Sequence, residues 1–421
     1  MYFLYNLLGC ALLPFVFIRL LAKSIRAPAY RKNWQERLGM NNLKETGYIW
    51  VHAVSLGESI AATKFIKEIL KNTEHPILIT NTTPTGRQYI CSAFGDNARV
   101  SNCYLPYDIT FIVKKFIKKI HPKLLILIET ELWPNLIKES RNQKIPVALV
   151  NARLSARSAN KYAKFGKYTK NMFQMIDFIA TQFEADAKRF ISLGADTNKV
   201  QTIGNLKLDV SLQSDLLKKI TSQKKHFGKR PIWIASSTHH PEETMILEVH
   251  KTILKTIPNA LLILVPRHPE RFNEIYKLCD TKGFDTIRRS NQEGLTKNTQ
   301  VFLVDSIGEL MQFYGIANIA FVGGSLIPRG GHNILEPASC GIPCIFGPHM
   351  FNFSKLAEML IAADIGYQIQ NSKQLQTKLL EIFANKRIAT LTKSKATKFF
   401  KPHKNIASRL AALLKETFLR D

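Results

Sequence analysis

The sequence predicts an α/β protein of two Rossmann-like domains with parallel sheets, preceded by an apolar helix at the N-terminus. Two observations predict the domains. Short, near-continuous hydrophobic runs alternate with amphipathic helical stretches, the pattern of parallel sheets covered on both faces. These runs fall into two series, and 421 residues suit two domains of about 170–200 residues each. A third observation, the almost unbroken apolarity of Tyr2 to Ala22, predicts the helix.

In the first series the strands are expected at Tyr48–Val54, Pro76–Asn81, Leu124–Ile128, Pro146–Val150, Phe178–Thr181 and Val200–Ile203. In the second they are expected at Ile232–Ser236, Leu261–Val265, Val301–Val304, Ile319–Val322 and Pro343–Phe346. The resulting organisation is an anchor over 1–22, a first domain over 23–210, a polar, Lys-rich linker over 211–230 and a second domain over 231–398. A C-terminal helix over 399–421 is expected to pack back on the first domain.

The first segment interrupts its apolar run only at Asn6 and Arg19. About 20 helical residues at ~1.5 Å rise match a ~30 Å hydrocarbon core. No charged region precedes it and no small-residue cleavage site ends it, which argues against a cleaved signal peptide. Lys23, Arg26, Arg31 and Lys32 follow, so a spanning helix would keep the body cytoplasmic. Gly9, Pro14 and Arg19 leave an interfacial placement open as well.

Charge points the same way. The chain carries 59 Lys and Arg against 32 Asp and Glu, a net +27, which calls for a polyanionic partner. Lysines cluster at 114–123, and basic residues again between Arg153 and Lys170. No aromatic or zipper pattern of nucleic-acid binding accompanies them, so an anionic membrane surface is the expected partner and nucleic acid is not. The six cysteines form no CxxC and no zinc-like spacing, and are read as reduced thiols with no metal.

The polar motifs fall consistently after the strands, where open α/β sheets bind ligands. Ser55-Leu56-Gly57-Glu58 follows the first strand. It is a capping box, and its glutamate is also a carboxylate placed to deprotonate an attacking hydroxyl. Thr85 and Gly86 follow the second strand, and Glu129 and Glu131 the strand at 124–128. Two apart, these glutamates would share one side of an extended backbone, to position an acceptor or to pair with Arg153 or Arg157, and, without a DxD-like cluster, less favourably to bind a metal. Asn151 and Arg153 follow next. In the second half Ser236, Ser237 and Thr238 are candidate caps or phosphate ligands. Arg267 and His268 emerge after Leu261–Val265, where a guanidinium can grip phosphate or carboxylate. Gly330, Gly331, His332 and Asn333 precede a predicted helix that carries Glu336 one turn in, an arrangement suited to a phosphate and a ribose. Two sheets presenting these edges to one cleft describe the glycosyltransferase architecture called GT-B.

The strings VSLGE (54–58), TPTG (83–86), YLPYD (104–108), ETELWPN (129–135), NARLSARS (151–158), VPRHPERF (265–272), FVGGSL (321–326), RGGHN (329–333) and GPHMFNF (347–353) resemble those of the Kdo (3-deoxy-D-manno-octulosonic acid) transferases. The likeness runs from Ala27 to about Lys355. It implies a metal-independent, cofactor-free, inverting GT-B enzyme at the inner membrane. Its donor would be CMP-Kdo, and its acceptor the phosphorylated, acylated disaccharide of the lipid A precursor. The family's catalytic glutamate falls on Glu58. Donor binding falls on Ser237, Arg267, His268, the Gly330–Asn333 turn and Glu336. Acceptor or cleft roles fall on Thr85, Gly86, Glu129, Glu131, Asn151 and Arg153. One departure is His240-Pro241, where the family carries Glu-Gly, so that Glu242 or His240 would have to compensate. The rival readings are a GT-B enzyme using a UDP-sugar and a non-catalytic basic membrane tether.

Overall fold

The computed structural model describes residues 2–210, 214–291 and 294–419. They form two units, Met1–Asp209 with Asn405–Asp421, and Val210–Lys404. The first holds β1 (Ile49–His52), β2 (Ile77–Asn81), β3 (Val100–Tyr104), β4 (Leu124–Ile128), β5 (Val147–Ala152), β6 (Phe178–Thr181) and β7 (Val200–Thr202). They pair in the order β3-β2-β1-β4-β5-β6-β7, all parallel. Strand order therefore reverses between β1 and β4, and a ligand crevice is expected outside their carboxyl ends.

Side chains alternate across this sheet. Trp50, Leu125 and Leu127 pack on one face with Phe116 of the helix Thr110–Ile120. Ile49, Val51 and Ile126 pack on the other with Phe65 of the helix Leu56–Asn72. The C-terminal helix Ile406–Phe418 covers that second face through Ile406, Ala407, Leu410, Ala411 and Leu414. Its spacing is a helical stripe.

The second unit holds β8 (Ile232–Thr238), β9 (Leu261–Pro266), β10 (Thr286–Arg288), β11 (Val301–Leu303), β12 (Ile319–Val322), β13 (Cys344–Phe346) and β14 (Gly366–Gln368). Their order is β10-β11-β9-β8-β12-β13-β14, again all parallel, with the reversal between β8 and β12.

Three strands were not expected from the sequence: β3, β10 and β14. All three are sheet edges, and most of their residues are only half-buried. An edge strand lacks the two covered faces that produce a continuous apolar run. The linker expected over 211–230 is also corrected. Within it Ser214–Phe227 is a helix of the second unit. Phe227 packs edge-on against Phe302 at 5.3 Å, and Ile220 lies against Gly315. Lysines on its outer side made a packed helix read as a polar join. The helix Lys386–Phe400 stays with the second unit, and the chain returns to the first at Asn405.

Asp209 fastens that return. One carboxylate oxygen accepts from Lys64 Nζ at 2.8 Å and from the Asn405 N–H at 3.0 Å, the other from the Ala407 N–H at 2.8 Å. The Asp209 side chain is buried and Lys64 is 39% exposed, so the two backbone bonds dominate. Asp209→Ala is expected to destabilise the first unit by about 2–3 kcal/mol. Urea unfolding followed by tryptophan fluorescence measures it, since Trp34, Trp50 and Trp133 all lie in this unit.

Candidate active site

In the first unit Ser55 caps the helix Leu56–Asn72, accepting from the Glu58 N–H. Glu58 answers with both oxygens. Oε2 accepts from the Val54 N–H at 2.6 Å and Oε1 from the Ser55 hydroxyl at 2.9 Å. The capping box is thus present, and it holds a half-buried carboxylate at the end of β1, beside the sheet reversal. Burial raises the Glu58 pKa; the two hydrogen bonds oppose this and the charge of Glu129 adds to it. Gly86 is the close-packed point beneath this turn. A Cβ there would stand 3.2 Å from the Ser55 carbonyl carbon and 3.1 Å from Thr83 Oγ1. Thr85 is exposed at the start of its helix.

At the end of β4 the extended backbone expected to carry the two glutamates is replaced by a turn. Glu129 has φ 61°, a left-handed turn that non-glycine residues rarely adopt, and the two glutamates take different partners. Glu129, 5% exposed, meets Lys207 Nζ at 2.6 Å and Arg153 Nε at 3.1 Å. This makes Glu129 and Arg153 a structural pair. Glu131 accepts from Trp133 Nε1 at 3.1 Å and forms no ion pair among the described residues. Burial first, then the charge of Glu58, pushes its pKa up to about 7. Asn151 is likewise left-handed, φ 54°, and buried. Its Oδ1 accepts from the Leu206 N–H at 3.0 Å, which fixes the loop carrying Lys207. Lys207 was not among the expected residues. The signal available was Gly204-Asn205 directly after the strand expected at Val200–Ile203.

In the second unit β8 runs on to Thr238 and the next helix begins at Glu242 after Pro241, with no side-chain cap. Ser236, Ser237 and Thr238 therefore cap nothing. Ser236 bonds Phe321 O and Tyr314 Oη inside the core. Ser237 is left-handed, φ 54°. Thr238 Oγ1 is buried without a partner among the described residues. Glu242, fully buried, is what organises the edge. Its Oε2 accepts from the Gly324 and His239 N–H groups at 2.7 and 3.1 Å, and its Oε1 from Leu326 and Ser325 at 3.0 and 3.1 Å. One side chain thus ties the loop after β8 to the loop after β12. Glu242, one of the two residues expected to compensate for the His240-Pro241 departure, is engaged with both oxygens in this clamp.

His239 and His332 stack with Nε2 atoms 2.8 Å apart, and His268 meets His239 edge-on at 5.1 Å. Burial, then the charges of neighbouring His268, Arg329 and Arg267, pushes His239 down to about 4. Burial, then His239 and Arg267, does the same for His332. Both rings are neutral at pH 7 in a cationic surrounding. Arg267 and Arg329 are exposed there; Arg329 was not among the expected site residues. Arg271 instead pairs with Glu243 at 2.7 Å and Glu274 at 2.8 Å. Gly330 and Gly331 take φ 95° and 72°, and the Gly331 N–H donates to Gly324 O at 2.8 Å. The helix that follows is only Leu335–Ser339. Glu336 is its second residue, not one turn in, and so short a helix contributes little dipole. Asn333 Nδ2 bonds Glu336 Oε1 at 3.0 Å, and burial raises the glutamate's pKa.

A family model described as 3-deoxy-D-manno-octulosonic-acid transferase (kdotransferase) matches residues 32–210. The 3-deoxy-D-manno-octulosonic acid transferase of Haemophilus influenzae is 42% identical over 386 residues, covering 90% of this chain and 90% of its own. This chain belongs to the Kdo transferase family. The Bordetella pertussis member is 34% identical, covering 80% of this chain and 79% of its own. Among solved structures, the UDP-GlcNAc 2-epimerase of Neisseria meningitidis aligns over 89% of this chain and 100% of its own at a TM-score of 0.53 and 15% identity. That likeness concerns the fold alone, and it agrees with the GT-B class. The chain is accordingly a glycosyltransferase that transfers Kdo in lipopolysaccharide biosynthesis.

Glu131 carries a pH signature. Its raised pKa means that the protonated form favours the folded state. That contribution is present below the ordinary value of 4.5 and is lost as pH rises through about 7. Glu131→Gln is expected to stabilise the protein by about 1 kcal/mol at pH 8 and by little at pH 4.5. Thermal melts at the two pH values measure the difference.

Proposed function

We propose that CMP-Kdo is the donor, bound at the carboxyl edge of the second sheet, and that a phosphorylated, acylated glucosamine disaccharide is the acceptor, received at the first. The observation that carries this reading is Glu58. Its carboxylate stands at the strand-order reversal of the first sheet, fixed by the Val54 N–H and the Ser55 hydroxyl, with a raised pKa. A base held in place and partly desolvated is suited to taking a proton from a sugar hydroxyl.

In the proposed step Glu58 removes the acceptor hydroxyl proton as that oxygen attacks the anomeric carbon of Kdo. The bond from this carbon to the CMP phosphate oxygen breaks, its electron pair leaves with CMP, and the configuration inverts. Arg267, Arg329 and the backbone of the Gly330–Asn333 turn stabilise the growing charge on the phosphate. The Kdo carboxylate gives the same arginines a second anion to hold. Neutral His239 and His332 offer ring nitrogens without adding a proton source. Glu336 and Asn333 are assigned to the ribose hydroxyls. Thr85, Gly86, Glu131 and Asn151 shape the acceptor side, with Glu129 and Arg153 bracing it. No step is routed through a metal. The catalytic body belongs, in this reading, on the cytoplasmic side of the inner membrane, its basic surface toward anionic lipid.

Glutamine can still fill the third position of a capping box. Glu58→Gln is therefore expected to lower kcat about 10²–10⁴-fold with the melting temperature nearly unchanged. Transfer from CMP-Kdo to a tetraacylated lipid A precursor, with chelator present, measures it. Full activity of the variant would remove Glu58 from the chemistry. Arg267→Lys keeps the charge but loses the fork, and is expected to raise KM for CMP-Kdo about tenfold, as read from initial rates against donor concentration.

A further inference from the structure

The helix Tyr2–Arg26 is long and apolar enough to cross a membrane, yet the protein holds it along its length. Its partly or fully covered residues are 2, 5, 6, 9, 13, 16, 17, 20 and 24. This is a single stripe with helical spacing from one end to the other. At the first turn the Tyr2 ring packs on Tyr168 at 4.9 Å, with Lys138 Nζ 4.3 Å over its face. Tyr5 Oη donates to Asp108 at 3.0 Å. Asn6 and Asn135 exchange amide hydrogen bonds at 3.2 and 3.1 Å, and Asn6 Oδ1 also accepts from the Thr110 N–H at 2.8 Å. Gly9 lets the helix close on Ile109. Further along, Phe17 packs against Trp34 and Tyr107.

Apart from the exposed Arg19 and Lys23, the remaining faces are open and apolar. Phe3 is 81% exposed, Phe15 67% and Ile25 76%, with Leu8, Leu12 and Ile18 between them. Beside the stripe stand Phe111, next to Thr110, and Phe165, three residues before Tyr168; both are exposed. Around them, Lys114, Lys115, Lys118, Lys161, Lys164 and Lys167 are exposed as well.

The geometry points to an in-plane lipid dock. The helix Tyr2–Arg26, with Phe111 and Phe165, lies in the interface of an anionic bilayer and does not cross it. This rests on the membrane-surface reading above and decides its mode. A spanning helix of 25 residues is roughly 37 Å long and must carry its first turn to the far side of the hydrocarbon. Here the first turn hydrogen-bonds to Asp108 and Asn135, inside the folded body. Both ends of the helix are therefore on the body's side. Asn6 would be costly in hydrocarbon but is fully engaged by the protein. The exposed apolar face has no protein covering among the described residues, and the lysine rim selects an anionic lipid surface over a neutral protein partner.

The same contacts tie the dock to the chemistry. Asp108, which Tyr5 engages, also accepts from the Asn135 and Leu136 N–H groups at 3.0 and 2.7 Å. It thereby fixes the helix that starts three residues after Glu131. Lipid docking and the acceptor-side loop share one hydrogen-bond network.

The test uses the full chain on phosphatidylcholine vesicles with and without phosphatidylglycerol. A fluorescent amino acid is installed singly at residues 3, 8, 12, 15, 18 and 25, all on the open face, and quenched by lipids labelled at shallow or deep acyl positions. The dock predicts one shallow depth at every position. It also predicts that Phe111→Ser with Phe165→Ser, outside the helix, weakens vesicle binding about tenfold. Maximal depth at 12 and 15 with shallow ends, and binding indifferent to Phe111 and Phe165, would mean a spanning helix and overturn the inference while leaving membrane binding intact. Failure to float with anionic vesicles at all would overturn the membrane-surface reading itself.

Discussion

A buried carboxylate that accepts backbone N–H groups from a distant loop is the interaction on which both edges depend. Glu242 gathers four such groups from the loops after β8 and β12. Asp108 gathers two from the start of the helix Pro134–Asn142, and Asp209 two from the returning C-terminal segment. Loops at a strand's carboxyl end expose main-chain donors that no ladder satisfies. A carboxylate satisfies several at once and with charge-assisted strength. The sheets bring the strand ends together, and these side chains decide where the intervening loops stand.

The two edges then differ in electrostatic sign. At the first, the charge of Glu129 adds to the raised pKa of Glu58, and the charges of Glu58 and Glu129 to that of Glu131, while the cations Lys207 and Arg153 are both drawn to Glu129. Proton acceptance is the chemistry such a group of carboxylates favours. At the second edge Arg267 and Arg329 add to burial in keeping His239 neutral, and anion binding is what that field favours. Left-handed backbone at Glu129, Asn151 and Ser237, each at or beside a strand's carboxyl end, concentrates strain of about 1–3 kcal/mol per residue where the ligands are expected.

Much of this was legible beforehand. The central strands showed as unbroken apolar runs because both faces of a parallel sheet are covered, and Leu124–Ile128, Phe178–Thr181 and Ile319–Val322 were placed to the residue. The site strings were visible because they follow those strands. The edge strands β3, β10 and β14 were not legible, since half-exposed residues carry no such run. The helix Ser214–Phe227 was misread because its lysines outweigh the few residues, Ile220 and Phe227, that bury.

By itself the sequence determined the two parallel sheets, the family, and the capping box that holds Glu58, because each is written in local periodicity or short motifs. Only the tertiary structure decided that Glu129 turns left-handed, that Lys207 pairs with it and that Glu242 bridges two loops. It alone placed one face of the N-terminal helix against the folded body. Each of these depends on contacts between residues far apart in the chain, set by strand order and loop packing, on which local composition is silent.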